Sequence, residues 1–93
     1  MEEEDVTHKI IGGAYQVYNN LGFGFLESVY RKAMVIEIEA SGLRVQQESP
    51  LKVLYRDQIV GDFFVDLLVE DELIVELKSA KRLRVSGRSS GAV

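Results

Sequence analysis

Apolar residues in the first part of the chain recur at helical spacing. Ile10, Ile11, Ala14, Val17, Tyr18 and Leu21 line one face, which predicts an amphipathic helix of about four turns. Thr7 or Asp5 can serve as its N-cap. Gly12 and Gly13 each weaken this helix by roughly 1 kcal/mol relative to Ala, which predicts close packing against another element. Asn19-Asn20-Leu21-Gly22-Phe23-Gly24 ends it. Gly22 or Asn20 suits the left-handed C-cap, and Phe23 and Phe25 are expected to anchor the loop in the core. A second helix is predicted from Phe25 to Ala40. Its apolar arc holds two stripes, Val29, Ala33, Ile36 and Ala40 beside Tyr30, Met34 and Ile38, so it should pack on more than one element.

After Gly42 the period changes to that of extended chain. Leu43 to Ser49 predicts a strand that Pro50 ends. Lys52 to Arg56 predicts a second strand, Asp57-Gln58 a turn and Ile59 to Val69 a third strand, with a bulge or bend at Gly61-Asp62. Glu70-Asp71-Glu72 is the next turn, and Leu73 to Lys78 the fourth strand. The expected fold class is α+β: two N-terminal helices followed by an antiparallel β-meander of three to four strands. Residues 81–93 are rich in Ser, Gly and Arg without sustained periodicity, so a flexible basic tail is expected after a domain over residues 1–80.

Composition narrows the function classes. The chain has 93 residues, enough for one domain, and a net charge of −4. Bulk electrostatic attraction to nucleic acid is therefore absent, although a cation held in an acidic site can still meet phosphates. There is no Cys, hence no disulfide or thiolate metal site. No apolar run approaches the roughly 20 residues that span a bilayer, so no membrane association is expected. The acidic start Met1-Glu2-Glu3-Glu4-Asp5 is unlike a signal peptide, and the expected location is cytoplasmic. His8, the only histidine, is expected to be a surface or capping residue.

Asp66, Glu76 and Lys78 stand among Leu, Ile and Val, and a carboxylate costs several kcal/mol to bury without a partner. Glu76 and Lys78 are two apart in one strand and share a face. Asp66 depends on the turn. A two-residue turn at Glu70-Asp71 pairs Asp66 with Val75 and leaves Glu76 on the opposite face. A three-residue turn pairs Asp66 with Glu76, their Cβ atoms about 5 Å apart. Two carboxylates that close need a proton or a cation between them. Oxygen ligands with open positions suit Mg²⁺ or Mn²⁺, which can lower the pKa of a bound water and stabilise charge on a phosphate. Lys78 can orient or deprotonate that water, or neutralise developing charge. The three residues suffice for metal-assisted phosphodiester hydrolysis. A purely structural alternative has Lys78 bridging Glu76 and Asp66. Glu27, near the start of the second helix, is either a first-turn carboxylate favoured by the helix dipole and paired with Arg31, or a carboxylate aimed into a shared site.

The motif Gly24-x-x-Glu27-x-x-Tyr30, together with Ile10-Ile11-Gly12, Asp66-Leu67-Leu68-Val69 and Ile74-Val75-Glu76-Leu77-Lys78, resembles the GxxExxY family. That mostly prokaryotic family is placed in the PD-(D/E)XK nuclease-like superfamily, and the match covers about residues 5–80 in consistent order. The resemblance implies a restriction-endonuclease-like core and a Mg²⁺- or Mn²⁺-dependent nuclease-like activity. It implies that Asp66 binds the metal, that Glu76 and Lys78 are the Glu-x-Lys pair, and that Glu27 is the helix carboxylate of the site. The catalytic set is then Lys78, Glu76, Asp66 and Glu27, with Asp66, Glu76 and Glu27 as metal ligands. The sequence departs from the family at Phe23, where the family loop often has Pro. It departs again after Leu83, where the family's helix with a Gln and a Tyr, and a further strand, have no counterpart. A truncated core of this kind is expected to leave the fourth strand with an open edge and an apolar face. That predicts a homodimer or higher oligomer, with nucleic acid as a further partner. The alternative is a non-catalytic oligomerisation or binding module on a decayed nuclease fold.

Overall fold

The computed structural model describes residues 3–79 and 82–87. Helices α1 (Glu3–Leu21) and α2 (Glu27–Ala40) precede strands β1 (Val45–Tyr55), β2 (Gln58–Val69), β3 (Leu73–Ser79) and β4 (Arg82–Gly87). The strands form one antiparallel sheet in the order β1-β2-β3-β4. The expected α+β meander is therefore present, with four strands. α1 starts at Glu3, ahead of both expected caps, because Glu3, Glu4 and Asp5 suit a first turn whose dipole favours acids.

The helices cover one face of the sheet. Val6, Ile10, Ala14 and Val17 of α1 and Tyr30, Met34 and Ile38 of α2 pack with Leu67, Val69, Leu73, Val75 and Leu77. Only one of the two predicted α2 stripes is buried, and Ile36 of the other is 67% exposed. Gly13 marks a close approach of the helices, since a Cβ there would lie 3.2 Å from the Glu37 Cβ; Gly12 meets nothing within 4 Å. On the opposite face, Leu51, Val65, Leu68 and Ile74 form a smaller cluster. No described helix is long and apolar enough to cross a membrane.

Three differences from the sequence expectation have physical causes. Pro50 does not end a strand: it sits inside a continuous β1, opposite Phe64. β1 is an edge strand, where a missing N–H can face away from the ladder. The β1–β2 turn is Arg56-Asp57, one residue earlier than expected, with φ of +49° and +64°, the signs a two-residue hairpin turn requires. Residues 82–87, expected to lie in an irregular tail, form β4. Their alternation, Leu83 and Val85 against Arg84, is too short to register as a period, yet both apolar residues pack on the core. β3 is consequently paired on both sides, and the outer strands of the sheet are β1 and β4. Residues 81 and 88–93 of the expected tail lie outside the described residues. The bulge expected at Gly61-Asp62 falls one residue earlier: Asp62 and Gly61 pair with Lys52 and Val53, and Leu54 pairs with Ile59, leaving Val60 as the extra residue.

The β2–β3 turn carries the most consequence. Val69 pairs with Leu73 across the three residues Glu70-Asp71-Glu72, with φ of +54° at Glu70 and +57° at Asp71. The Glu72 N–H donates to the Val69 carbonyl at 3.0 Å and the Glu70 N–H to the Arg44 carbonyl at 2.9 Å. The Arg44 N–H donates back to Glu70 Oε2 at 2.6 Å. That backbone N–H, helped by the Arg44 guanidinium, holds the Glu70 carboxyl below the ordinary carboxylate range, while partial desolvation opposes it.

A depressed folded-state pKa adds stability above the unfolded value, about 4.3 for Glu, and that stability is lost as pH falls through the folded value. Glu70→Gln should therefore lower the urea midpoint at neutral pH, and the gap from wild type should close toward about pH 2. An undiminished gap in acid would contradict this account of the turn.

Candidate active site at Asp66

Asp66 lies where the sheet ladder is interrupted on both sides. Toward β1, Gln47 pairs with Leu67 and Ser49 with Val65, but Glu48 and Asp66 between them form no pair. Glu48 is left-handed, with φ of +48°. Toward β3, the last pair is Leu67 with Val75. The Asp66 side chain takes over there: the Leu77 N–H donates to Asp66 Oδ2 at 2.8 Å. The alternation of β2 also shifts at this point, because Val65 and Leu68, three apart, share one cluster while Leu67 and Val69 join the helix-covered core.

The three-residue turn decides the register left open by the sequence. The pairing ends at Leu67 and Val75; carried one step further, the same register would place Asp66 opposite Glu76. Leu73, Val75 and Leu77 face the helices, so Glu76 alternates to the side of Ile74 and Leu68. Asp66 and Glu76 are both half-buried. Lys78 follows two positions later in β3, where the β3–β4 register shifts between Leu77 and Ser79 and passes over it; its side chain lies outside the described ones.

Glu27 is the first residue of α2 and is exposed. The motif around it is tied down by Tyr30. The buried Tyr30 hydroxyl donates to the Gly22 carbonyl at 2.7 Å and accepts from the Phe25 N–H at 3.3 Å. Its ring packs 5.5 Å from Tyr18 and edge-on to Phe25 at 6.1 Å. Tyr30 thus anchors the loop, whereas Phe23 and Phe25, expected in the core, are 63% and 50% exposed. Arg31 turns away from the pairing with Glu27 considered above, and its Nη2 meets Glu48 Oε1 at 2.9 Å. This ion pair brings the second turn of α2 to the β1 residue beside Asp66, with Glu27 one turn earlier. A separate groove of about 520 Å³ between α1 and β4 is lined mainly by Ile11, Ala14, Tyr15, Tyr18, Leu83 and Val85, with no acid among the described residues that line it. Burial, then the neighbouring Tyr30, pushes the Tyr18 hydroxyl pKa up.

A family model for the PD-(D/E)XK nuclease superfamily matches residues 4–88. The chain belongs to the PD-(D/E)XK nuclease superfamily. No curated protein and no solved structure matches it. Divalent metals are general among PD-(D/E)XK nucleases, and the donors here can be tested against such an ion. Two half-buried carboxylates at one register position suit a hard cation that keeps part of its water. Among the described residues, no three Asp, Glu or His side chains are grouped to share an ion. The fit is therefore to a carboxylate pair, and Glu27 is not assembled with Asp66 and Glu76.

Sequence reasoning missed Glu48 and considered Arg31 only as a partner for Glu27. No local signal marks Glu48, because a left-handed Glu lacks the Gly or Asn that flags such a position. Arg31 carried a weak signal, since it adjoins Tyr30 on the buried side of α2.

Asp66→Ala leaves the Leu77 N–H without its acceptor and should cost about 1–3 kcal/mol in urea unfolding. Asp66→Asn keeps an oxygen acceptor and should cost less. Equal losses for the two variants would mean that this hydrogen bond does not hold the strands in place.

Proposed function

We propose that the chain is a Mg²⁺- or Mn²⁺-dependent nuclease-like protein of the GxxExxY family that hydrolyses phosphodiesters. The observation that carries this reading is the register of the β2–β3 hairpin, with Asp66 opposite Glu76 at a break in the ladder. The family assignment is supported by the way Gly24, Glu27 and Tyr30 fall around one loop, closed by the Tyr30 hydroxyl. Asp66 and Glu76 hold the ion, and Glu27, which starts α2 apart from them, joins the ligand set only when the helix end moves toward the pair. The ion supplies a lowered pKa for a bound water and stabilises charge on the phosphate. Lys78 orients that water and neutralises charge that develops as a P–O bond breaks. Nucleic acid is the substrate class and the cytoplasm the compartment.

Self-association is part of the proposal. Leu54, Tyr55, Ile59, Val60, Phe63 and Phe64 are exposed on the distal half of the β1–β2 hairpin, and apolar surface of this extent favours a partner. A homodimer or higher oligomer covers it. One observation favours the second reading, a non-catalytic oligomerisation or binding module on a decayed nuclease fold: no three metal-binding side chains are grouped among the described residues.

Metal-dependent nicking of DNA or RNA is expected, and Glu76→Ala should abolish it. An absence of cleavage across substrates and metals, with no heat of Mn²⁺ binding, would favour the binding module instead. Light scattering should give a mass of at least two chains, and a mass of one chain would count against self-association.

A further inference from the structure

Among the described lysine and arginine side chains, Arg31 is the one that is not exposed. Its side chain is 16% exposed, and its Nε is buried with no hydrogen-bond partner. Its ion-pair partner, Glu48, is 66% exposed. A pair with so exposed a carboxylate gives back little of the cost of desolvating a guanidinium, and an unsatisfied buried N–H adds to that cost. The geometry shows what is missing. Nε and Nη2 are the two donors along one edge of the guanidinium, an edge suited to two oxygens of one anion. Glu48 engages Nη2 and leaves Nε empty. Glu48 itself sits left-handed at the ladder position opposite Asp66. A half-filled anion fork is thus set beside the candidate carboxylates, in a chain whose net charge of −4 gives no bulk attraction to polyanions.

We infer that Arg31 is a ligand for a backbone phosphate of the nucleic-acid substrate, with Glu48 as a surrogate anion that the phosphate displaces. The two non-bridging oxygens of a phosphodiester fill both donors of the edge, and the exposed Glu48 side chain swings into solvent. The inference rests on the proposed function in taking nucleic acid as the substrate. It concerns binding, so it can be measured apart from hydrolysis.

The experiment is fluorescence anisotropy with short labelled DNA and RNA oligonucleotides, in chelator and over a range of salt concentrations, with folding of each variant checked by circular dichroism. Arg31→Gln should weaken binding about tenfold and reduce the slope of log affinity against log salt by about one. Arg31→Lys should keep the slope but bind more weakly than wild type, because a point charge cannot replace the fork. Glu48→Gln should tighten binding, since it removes the competing anion. A merely structural Arg31–Glu48 pair predicts no such gain, so Glu48→Gln decides the matter even if Arg31→Gln does not fold. Unchanged affinity and slope in Arg31→Gln, no gain in Glu48→Gln, or no binding of either oligonucleotide by wild type would overturn the inference. Arg31-dependent binding without any cleavage would overturn the catalytic reading alone. Cleavage with Arg31-independent binding would overturn this inference alone.

Discussion

The hydrogen bond from the Leu77 N–H to the Asp66 carboxylate holds together the two strands on which the site depends. It exists only in one register of the β2–β3 hairpin. That register follows from a three-residue turn whose first residue, Glu70, exchanges two hydrogen bonds with Arg44 ahead of β1. Because side chains alternate along a strand, a slip of one residue would turn Leu73, Val75 and Leu77 away from the helices and put Glu76 into the core. The apolar packing that stabilises the fold and the position of the carboxylates are therefore set by the same few contacts. Burial of Leu73 and Val75 at 2% and 0% exposure shows how strongly the core enforces this choice.

The break at Asp66 explains how a carboxylate can occur within an otherwise apolar sheet. A fully paired strand would leave the ladder intact and give its side chain no backbone donor. Here the left-handed Glu48 interrupts pairing on one side, and the Asp66 side chain accepts the Leu77 N–H on the other. Polar groups that would be costly to bury thus satisfy one another at the edge of the core. The same interruption admits Arg31 from α2, so acids from β2 and β3 and a base from α2 come to neighbouring places along the break. Membership of the PD-(D/E)XK superfamily gives this arrangement a chemical context.

The elements with long, regular patterns were legible in the sequence. Both helices, the long β2 strand with its bulge and the hairpin carrying Asp66, Glu76 and Lys78 follow from periodicity and turn residues. What escaped depended on partners distant in the chain. The choice between a two-residue and a three-residue turn rested on Arg44, which is 26 positions from Glu70. Pro50 could remain in a strand only because that strand lies at an edge, a fact of sheet order rather than of local sequence. β4 was too short to show a period and became a strand by pairing with β3. The positions of Arg31 and Glu48 arise where α2 crosses the break, and neither residue's own neighbours announce it.

The most direct measurement is a crystal structure of the full chain soaked with Mn²⁺, with the ion located by its anomalous scattering. The account predicts a peak between the carboxylates of Asp66 and Glu76, lost in Glu76→Ala crystals. A well-ordered Asp66 and Glu76 on opposite faces of the sheet, or an ion bound only elsewhere, would contradict it.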